Sequence, residues 1–244
     1  MEKLMLGTVI FLSSMLQGTF GFAFMLIALP LLSFFLTMKV AVPLLSLFLG
    51  LIAGILTFQL RGEFHYKNTM PLIIGAVLGI PIGIFFLLAS DESLIKFTLG
   101  IVLIGYSAYC MLLKMVTWRL PGWTGYIFGF LAGSLGGAFN ITGPPVVFYL
   151  STQNRSKINT FGSLNFFFFV TSILVVLFHV AIGNITKDIT VTFLEFTPAM
   201  IIGMLSGRYL FKRLSEDRYR RGLYVLLMAM GTILIVQPLF SGKP

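Results

Sequence analysis

Gly136-Gly137-Ala138-Phe139-Asn140-Ile141-Thr142-Gly143-Pro144-Pro145 is a polar, helix-breaking stretch set inside an apolar run that would otherwise cross a bilayer. Glycine and proline at that depth release backbone N–H and C=O groups, which hydrocarbon cannot satisfy. Such a break is expected only beside protein or a watery cavity, so a solute site is the first reading of these residues.

Composition puts the stretch in a membrane. With 57% hydrophobic residues, 10% charged residues and a mean hydropathy of +0.98, the 244-residue chain lacks the charged surface of a soluble globule. The formal charge of +9 comes from basic residues in short loops between apolar segments. Topology explains them there, and no nucleic-acid partner is expected. The lone Cys110 forms no intramolecular disulfide and reads as packing. There is no CxxC, HExxH or His/Cys cluster, so neither metal nor cofactor is expected. Met1-Glu2-Lys3 leads straight into apolar sequence without a cleavage signal, and the N-terminus reads as retained.

Spans of roughly 20 apolar residues give eight segments, near 4–36, 40–60, 69–89, 93–114, 123–152, 158–182, 189–212 and 219–240. Segments 1 and 5 are too long: the first, 33 residues, measures about 50 Å as one helix against a core of about 30 Å. They also begin two matching halves. At an offset of 119, Phe11-Leu12 falls on Phe130-Leu131, Leu16 on Leu135, Gly18 on Gly137, Phe20 on Phe139 and Leu31 on Leu150. Gly75 and Gly79 match Gly203 and Gly207 at an offset of 128, and Ser90 matches Ser215 ahead of acidic residues. The fold expected is an all-α integral membrane protein of two homologous repeats, 1–115 and 116–244, of about four helical segments each, a common construction for secondary transporters.

Charge distribution bears on whether the repeats are inverted. If all eight segments span, nine Lys/Arg face the cytoplasm and seven the other side. If segments 1 and 5 are re-entrant hairpins, three full spans per half invert the second repeat. Arg61, Lys67, Lys114, Arg119, Arg155, Lys157, Lys212, Arg213, Arg218, Arg220 and Arg221 then face inward, eleven against five. The inverted arrangement fits the positive-inside rule better, with kinked, fully spanning segments as the alternative. Both counts leave out Arg208 as intramembrane.

The hairpin tips carry the chemistry. Thr142 or Gly143 would cap a half-helix whose first turn holds Pro144 and Pro145, tolerated because the first N–H groups have no helical acceptor. That N-terminus bears about half a positive charge and free amide donors, with Gly137 beside it and Asn140 and Thr142 adding side-chain hydrogen bonds. The weaker partner is Gln17-Gly18-Thr19-Phe20-Gly21-Phe22, where Gln17, Thr19 and Gly21 are set to face the same cavity. Gly75, Gly79, Gly203 and Gly207 read as close-packing residues.

The duplicated organisation, the early Gln17-Gly18-Thr19-Phe20-Gly21-Phe22 with Pro30 following, and above all Gly137-Ala138-Phe139-Asn140-Ile141-Thr142-Gly143-Pro144-Pro145-Val146-Val147-Phe148-Tyr149 resemble the TauE/SafE family of sulfite and sulfonate exporters. The resemblance covers nearly the whole chain and implies movement of a small sulfur-containing anion across the cytoplasmic membrane. One departure is that Gln17 and Phe24 replace the small residues expected in a glycine-rich first turn, so the cavity is expected to differ in size or polarity.

Other polar residues at membrane depth have two readings each. Arg208 is a counter-charge for an anion or a snorkelling arginine. Glu195 is a protonatable coupling group or an interfacial residue. His179 reads as interfacial, and His65 lies in a loop. Asn159 and Ser163 share a helix face on segment 6, and with Asn165 they either line the path or bond neighbouring helices. The run Phe166-Phe167-Phe168-Phe169 reads as lipid-facing and packing bulk.

Three function classes follow. The first is a secondary transporter of a small sulfur-containing anion working by alternating access, with another small organic anion as the alternative cargo. It would be multi-pass in the cytoplasmic (inner or plasma) membrane, with the lipid bilayer and the solute as its partners; oligomeric state stays open, a homo-oligomer included. The second is an anion channel using the same site as a filter. The third is a membrane enzyme or a structural subunit of a larger complex; the lack of a nucleophile–base or paired-carboxylate arrangement argues against the enzyme. The absence of a Walker motif excludes ATP as an energy source within the chain.

Overall fold

The computed structural model describes residues 2–62, 66–112, 120–153, 156–211, 225 and 227–236. The described regular elements are all helices: α1 Glu2–Phe20, α2 Phe24–Leu32, α3 Met38–Gln59, α4 Tyr66–Ala89, α5 Glu92–Leu112, α6 Thr124–Phe139, α7 Gly143–Ser151, α8 Lys157–Ala181 and α9 Lys187–Phe211, with α10 at Leu227–Val236. Five of them are long and apolar enough to cross a membrane, and α4 and α9 present large exposed apolar side chains such as Leu78, Phe85, Leu194 and Tyr209. The chain is an all-α, multi-pass membrane protein. His65, Lys114, Arg119, Arg155, Lys212, Arg213, Ser215, Glu216, Asp217, Arg218, Arg220 and Arg221 lie outside the described residues, so the charge count remains a sequence argument.

Both over-long segments are broken. Segment 1 becomes α1 and α2, and segment 5 becomes α6 and α7. Each first helix ends on a residue in the left-handed region, Gly21 with φ 81° and Asn140 with φ 52°. The N–H of each donates to the carbonyl four residues back, Gly21 to Gln17 and Asn140 to Gly136, both at 2.7 Å. Asparagine is among the few side chains that tolerate this backbone. The two positions are the ones the 119-residue offset superimposes.

The α6–α7 segment folds back on itself. Tyr149 Oη donates to Gly122 O at 3.3 Å, and Gln153 Nε2 donates to Leu120 O at 3.2 Å. The end of α7 therefore lies beside the start of α6. Phe128 and Phe148, with ring centroids 5.1 Å apart, pack the two arms together. At 16 residues, α6 is about 24 Å long and stops short of a full crossing.

The first half follows the same plan. Met38 N donates to the Glu92 carboxylate at 3.0 and 3.2 Å, and Lys39 Nζ donates to Leu88 O at 2.9 Å. These bonds gather the start of α3, the end of α4 and the start of α5. Helices α3 and α8 run antiparallel, since Gly50 faces Ser172 and Gly54 faces Phe169. The end of α8 and the start of α9 thus share that end of the molecule. Lys3, at the start of α1, pairs with Glu195 of α9 at 2.9 Å. So α1 begins where α2, leading into α3, returns.

Glycines set the helix contacts. A Cβ added at Gly79 would collide with Phe130 O, at Gly83 with Ser134 O, and at Gly137 with Ile80 O, so α4 and α6 touch backbone to backbone. The same pattern joins α9 to α1: Gly203 against Phe11 O, Gly207 against Met15 O, Gly18 against Met204 O. Helix α1 therefore packs on α9 and α6 on α4, as small-residue faces permit in membranes. With Phe11 on Phe130 and Met15 on Ser134, it is Gly79 and Gly83 that stand where Gly203 and Gly207 do. The match of Gly75 and Gly79 with Gly203 and Gly207 is one helical turn out, because glycines four apart on one face align equally well in either register. Helices α5 and α10 meet reciprocally, a Cβ at Gly100 lying 2.7 Å from Gly231 O and one at Gly231 lying 2.8 Å from Gly100 O.

Candidate functional site

The two breaks meet at one small cavity. Asn140, Ile141, Thr142 and Gly143 line it from the second break, Phe22 from the first, Met25 and Leu26 from α2, Leu49 from α3 and Phe168 from α8. It offers the centre of a water molecule about 10 Å³, room for about one water.

Asn140 is fixed by its backbone and its amide together. Its Nδ2 donates to Ser46 Oγ on α3 at 2.9 Å and lies 3.5 Å from Ser172 Oγ on α8. Its Oδ1 is buried with no hydrogen-bond partner. Thr142 occupies the cap position of α7, yet its side chain makes no capping bond and its buried Oγ1 has no partner. Both residues are 1% exposed. An unsatisfied buried polar group costs about 1–3 kcal/mol, so two of them at one cavity call for an explanation. Gly143 begins α7, and Pro144 and Pro145 follow without N–H groups of their own. The helix N-terminus thus presents partial positive charge beside the free Thr142 hydroxyl.

The first break is closed internally. Gln17 Nε2 donates to Gly21 O at 2.8 Å, and Gln17 Oε1 accepts from Phe24 N at 2.9 Å. The side chain spans the break and satisfies a carbonyl on one side and the first turn of α2 on the other. Thr19 Oγ1 donates to Met15 O at 2.9 Å and reaches Gly207 O at 3.1 Å, tying α1 to α9. Gly21 faces the Phe161 ring, which a Cβ would strike. At the 119-residue offset Gln17 falls on Gly136 and Phe24 on Gly143. The second break has no glutamine with which to cap itself, and Asn140 Oδ1 and Thr142 Oγ1 have no partner.

The remaining expected residues lie elsewhere. Gly137 packs on Ile80, and Pro144 is half-buried in the first turn of α7 without lining the cavity. Asn165 Nδ2 donates to Phe161 O at 2.9 Å, while its Oδ1 is buried without a partner. Arg208 is exposed on α9. Glu195 is engaged by Lys3. His179 is buried, with Nδ1 3.3 Å from Asn184 Nδ2. Ser46 and Ser172 escaped the sequence reading, since lone serines in apolar helices commonly bond their own backbone, as Ser46 also does to Val42 O at 2.7 Å.

No Lys, Arg, Asp or Glu lines the cavity among the described residues, and no described His/Cys/Asp/Glu cluster could hold a metal ion. The pocket lies between two broken helices of an all-α, multi-pass membrane protein. The chain belongs to the sulfite exporter TauE/SafE family, whose sequence model matches residues 6–234. It is a transporter rather than an enzyme. It is similar to a Cupriavidus necator protein described as a probable sulfite/organosulfonate exporter, 26% identical over 179 residues that cover 71% of this chain and 70% of that protein. No solved structure matches it.

Proposed function

We propose that the chain exports a small sulfur oxyanion, sulfite or an organosulfonate, across the cytoplasmic membrane as a secondary transporter working by alternating access. The observation that carries this reading is the uncapped second break, where Thr142, whose hydroxyl has no partner, and Gly143 at the N-terminus of α7 line a small cavity. Family membership supports the substrate class.

Two inverted repeats, 1–115 and 116–244, supply the moving parts. The reciprocal Gly100–Gly231 contact, the exchange of α1 and α6 between halves and the antiparallel α3–α8 pair support that symmetry. A cavity with room for about one water is too small for an anion of four heavy atoms, so this conformation is closed, and solute enters when the halves move apart. A closed site favours a carrier over an open pore.

The test is Thr142→Val, which keeps the shape and removes the free hydroxyl. Folded yield and unfolding midpoint should hold. A lost hydrogen bond to a charged group is worth about 1.5–3 kcal/mol, so apparent affinity for sulfite or methanesulfonate, measured by ligand-induced thermal shift, should fall roughly tenfold to a hundredfold. Unchanged affinity would move the site away from the second break.

A further inference from the structure

We infer that the site selects singly charged anions and rejects dianions, so that sulfite is carried as hydrogensulfite. This rests on the proposed anion site and deepens it.

The positive field available is small. Among the described residues the cavity has no cationic side chain: Lys3, Lys39, Arg61, Lys67, Lys187 and Arg208 are exposed, and Lys96 pairs with Glu92 at 3.6 Å. What remains is the N-terminus of α7, worth roughly half a positive charge. The cost of taking an ion out of water grows with the square of its charge, roughly fourfold from a monoanion to a dianion. The favourable interaction with a fixed half-charge only doubles. A wall built from Phe22, Met25, Leu26, Leu49 and Phe168 leaves little else to stabilise a second charge.

Hydrogen-bond chemistry points the same way. A fully deprotonated oxyanion is an acceptor on every face and needs donors only. This site offers donors at α7 and the Thr142 hydroxyl, but it also holds Asn140 Oδ1, an acceptor 1% exposed and without a partner. Hydrogensulfite can satisfy Oδ1 with its own proton, a sulfonate leaves it unpaired at the cost of one hydrogen bond, and a dianion sets a second charge against it.

The experiment is ligand-induced thermal stabilisation of the purified full chain with sulfite, methanesulfonate and sulfate, from about pH 6 to about pH 9. Methanesulfonate is a monoanion throughout and reports the effect of pH on the protein itself. We expect apparent sulfite affinity, normalised to methanesulfonate, to drop about tenfold per pH unit once hydrogensulfite is the minor species, as binding linked to one proton requires. Sulfate, a dianion throughout, should leave the transition unmoved. Sulfite affinity independent of pH, or stabilisation by sulfate equal to that by sulfite, would overturn the selection while leaving an anion transporter in place. If no sulfur oxyanion shifts the transition at any pH, the selection and the proposed function fall together.

Discussion

Asn140 combines three demands on one residue: a left-handed backbone, an amide bonded to Ser46 and a buried free oxygen. The backbone demand can be separated from the amide. Asn140→Gly keeps the backbone freedom and loses the Ser46 bond, a loss of about 1 kcal/mol. Asn140→Ala adds a left-handed penalty of about 1–2 kcal/mol. Unfolding midpoints in one detergent should therefore rank wild type, then glycine, then alanine, and equal midpoints for the two variants would count against the backbone role. Asn140 and Thr142 were legible in the sequence because amide and hydroxyl side chains stand out beside prolines in an apolar run. Their partner Ser46 was not, because a serine of that kind is ordinarily satisfied by its own helix.

Among helices, the breaks were announced by length, and their positions by the 119-residue offset that brings Gly21 onto Asn140. The direction of a buried side chain was not announced. Gln17 reads in sequence as a polar group free for solute, and the structure turns both ends of its amide onto the backbone of its own break. Gln17→Leu would strand the Phe24 N–H and the Gly21 carbonyl, at about 1–3 kcal/mol each. Chemical or thermal unfolding should report a loss of about 2–5 kcal/mol, and a neutral effect would mean that water replaces the cap. The glycine seams make a second prediction. Gly79→Leu drives a side chain into the Phe130 carbonyl and should abolish folded protein on size exclusion. Gly105→Ala, where a Cβ meets nothing within 4 Å, should be tolerated or stabilise by about 0.5–1 kcal/mol through helix propensity. Equal behaviour of the two variants would show that the seam is not tight.

The inverted arrangement requires each hairpin to return to the end from which it entered. Tyr149 and Gln153 show this for α6 and α7 through their bonds to Gly122 and Leu120. With three crossings between hairpins, Thr37 and Gly183 belong to one face and Gly62 and Gly122 to the other. Single cysteines at these four exposed positions, in a background with Cys110 replaced by serine, should label in two pairs with an impermeant thiol reagent. The Gly62 and Gly122 pair is expected in the cytoplasm by the positive-inside rule. Labelling of Thr37 and Gly122 from the same side would contradict the inverted arrangement. Sequence charge leans toward this topology with a kinked span as the alternative, and the labelling experiment decides between them. The bonds from Tyr149 and Gln153 back to Gly122 and Leu120 are long-range contacts, and no local pattern encodes them.

The narrowness of the cavity has an electrical meaning. Protons cross proteins most readily along files of hydrogen-bonded water, and a space with room for about one water, walled by Phe22, Leu49 and Phe168, holds no such file. In this conformation the cavity therefore gives protons no relay of its own, and a leak through the site would have to wait for the halves to part.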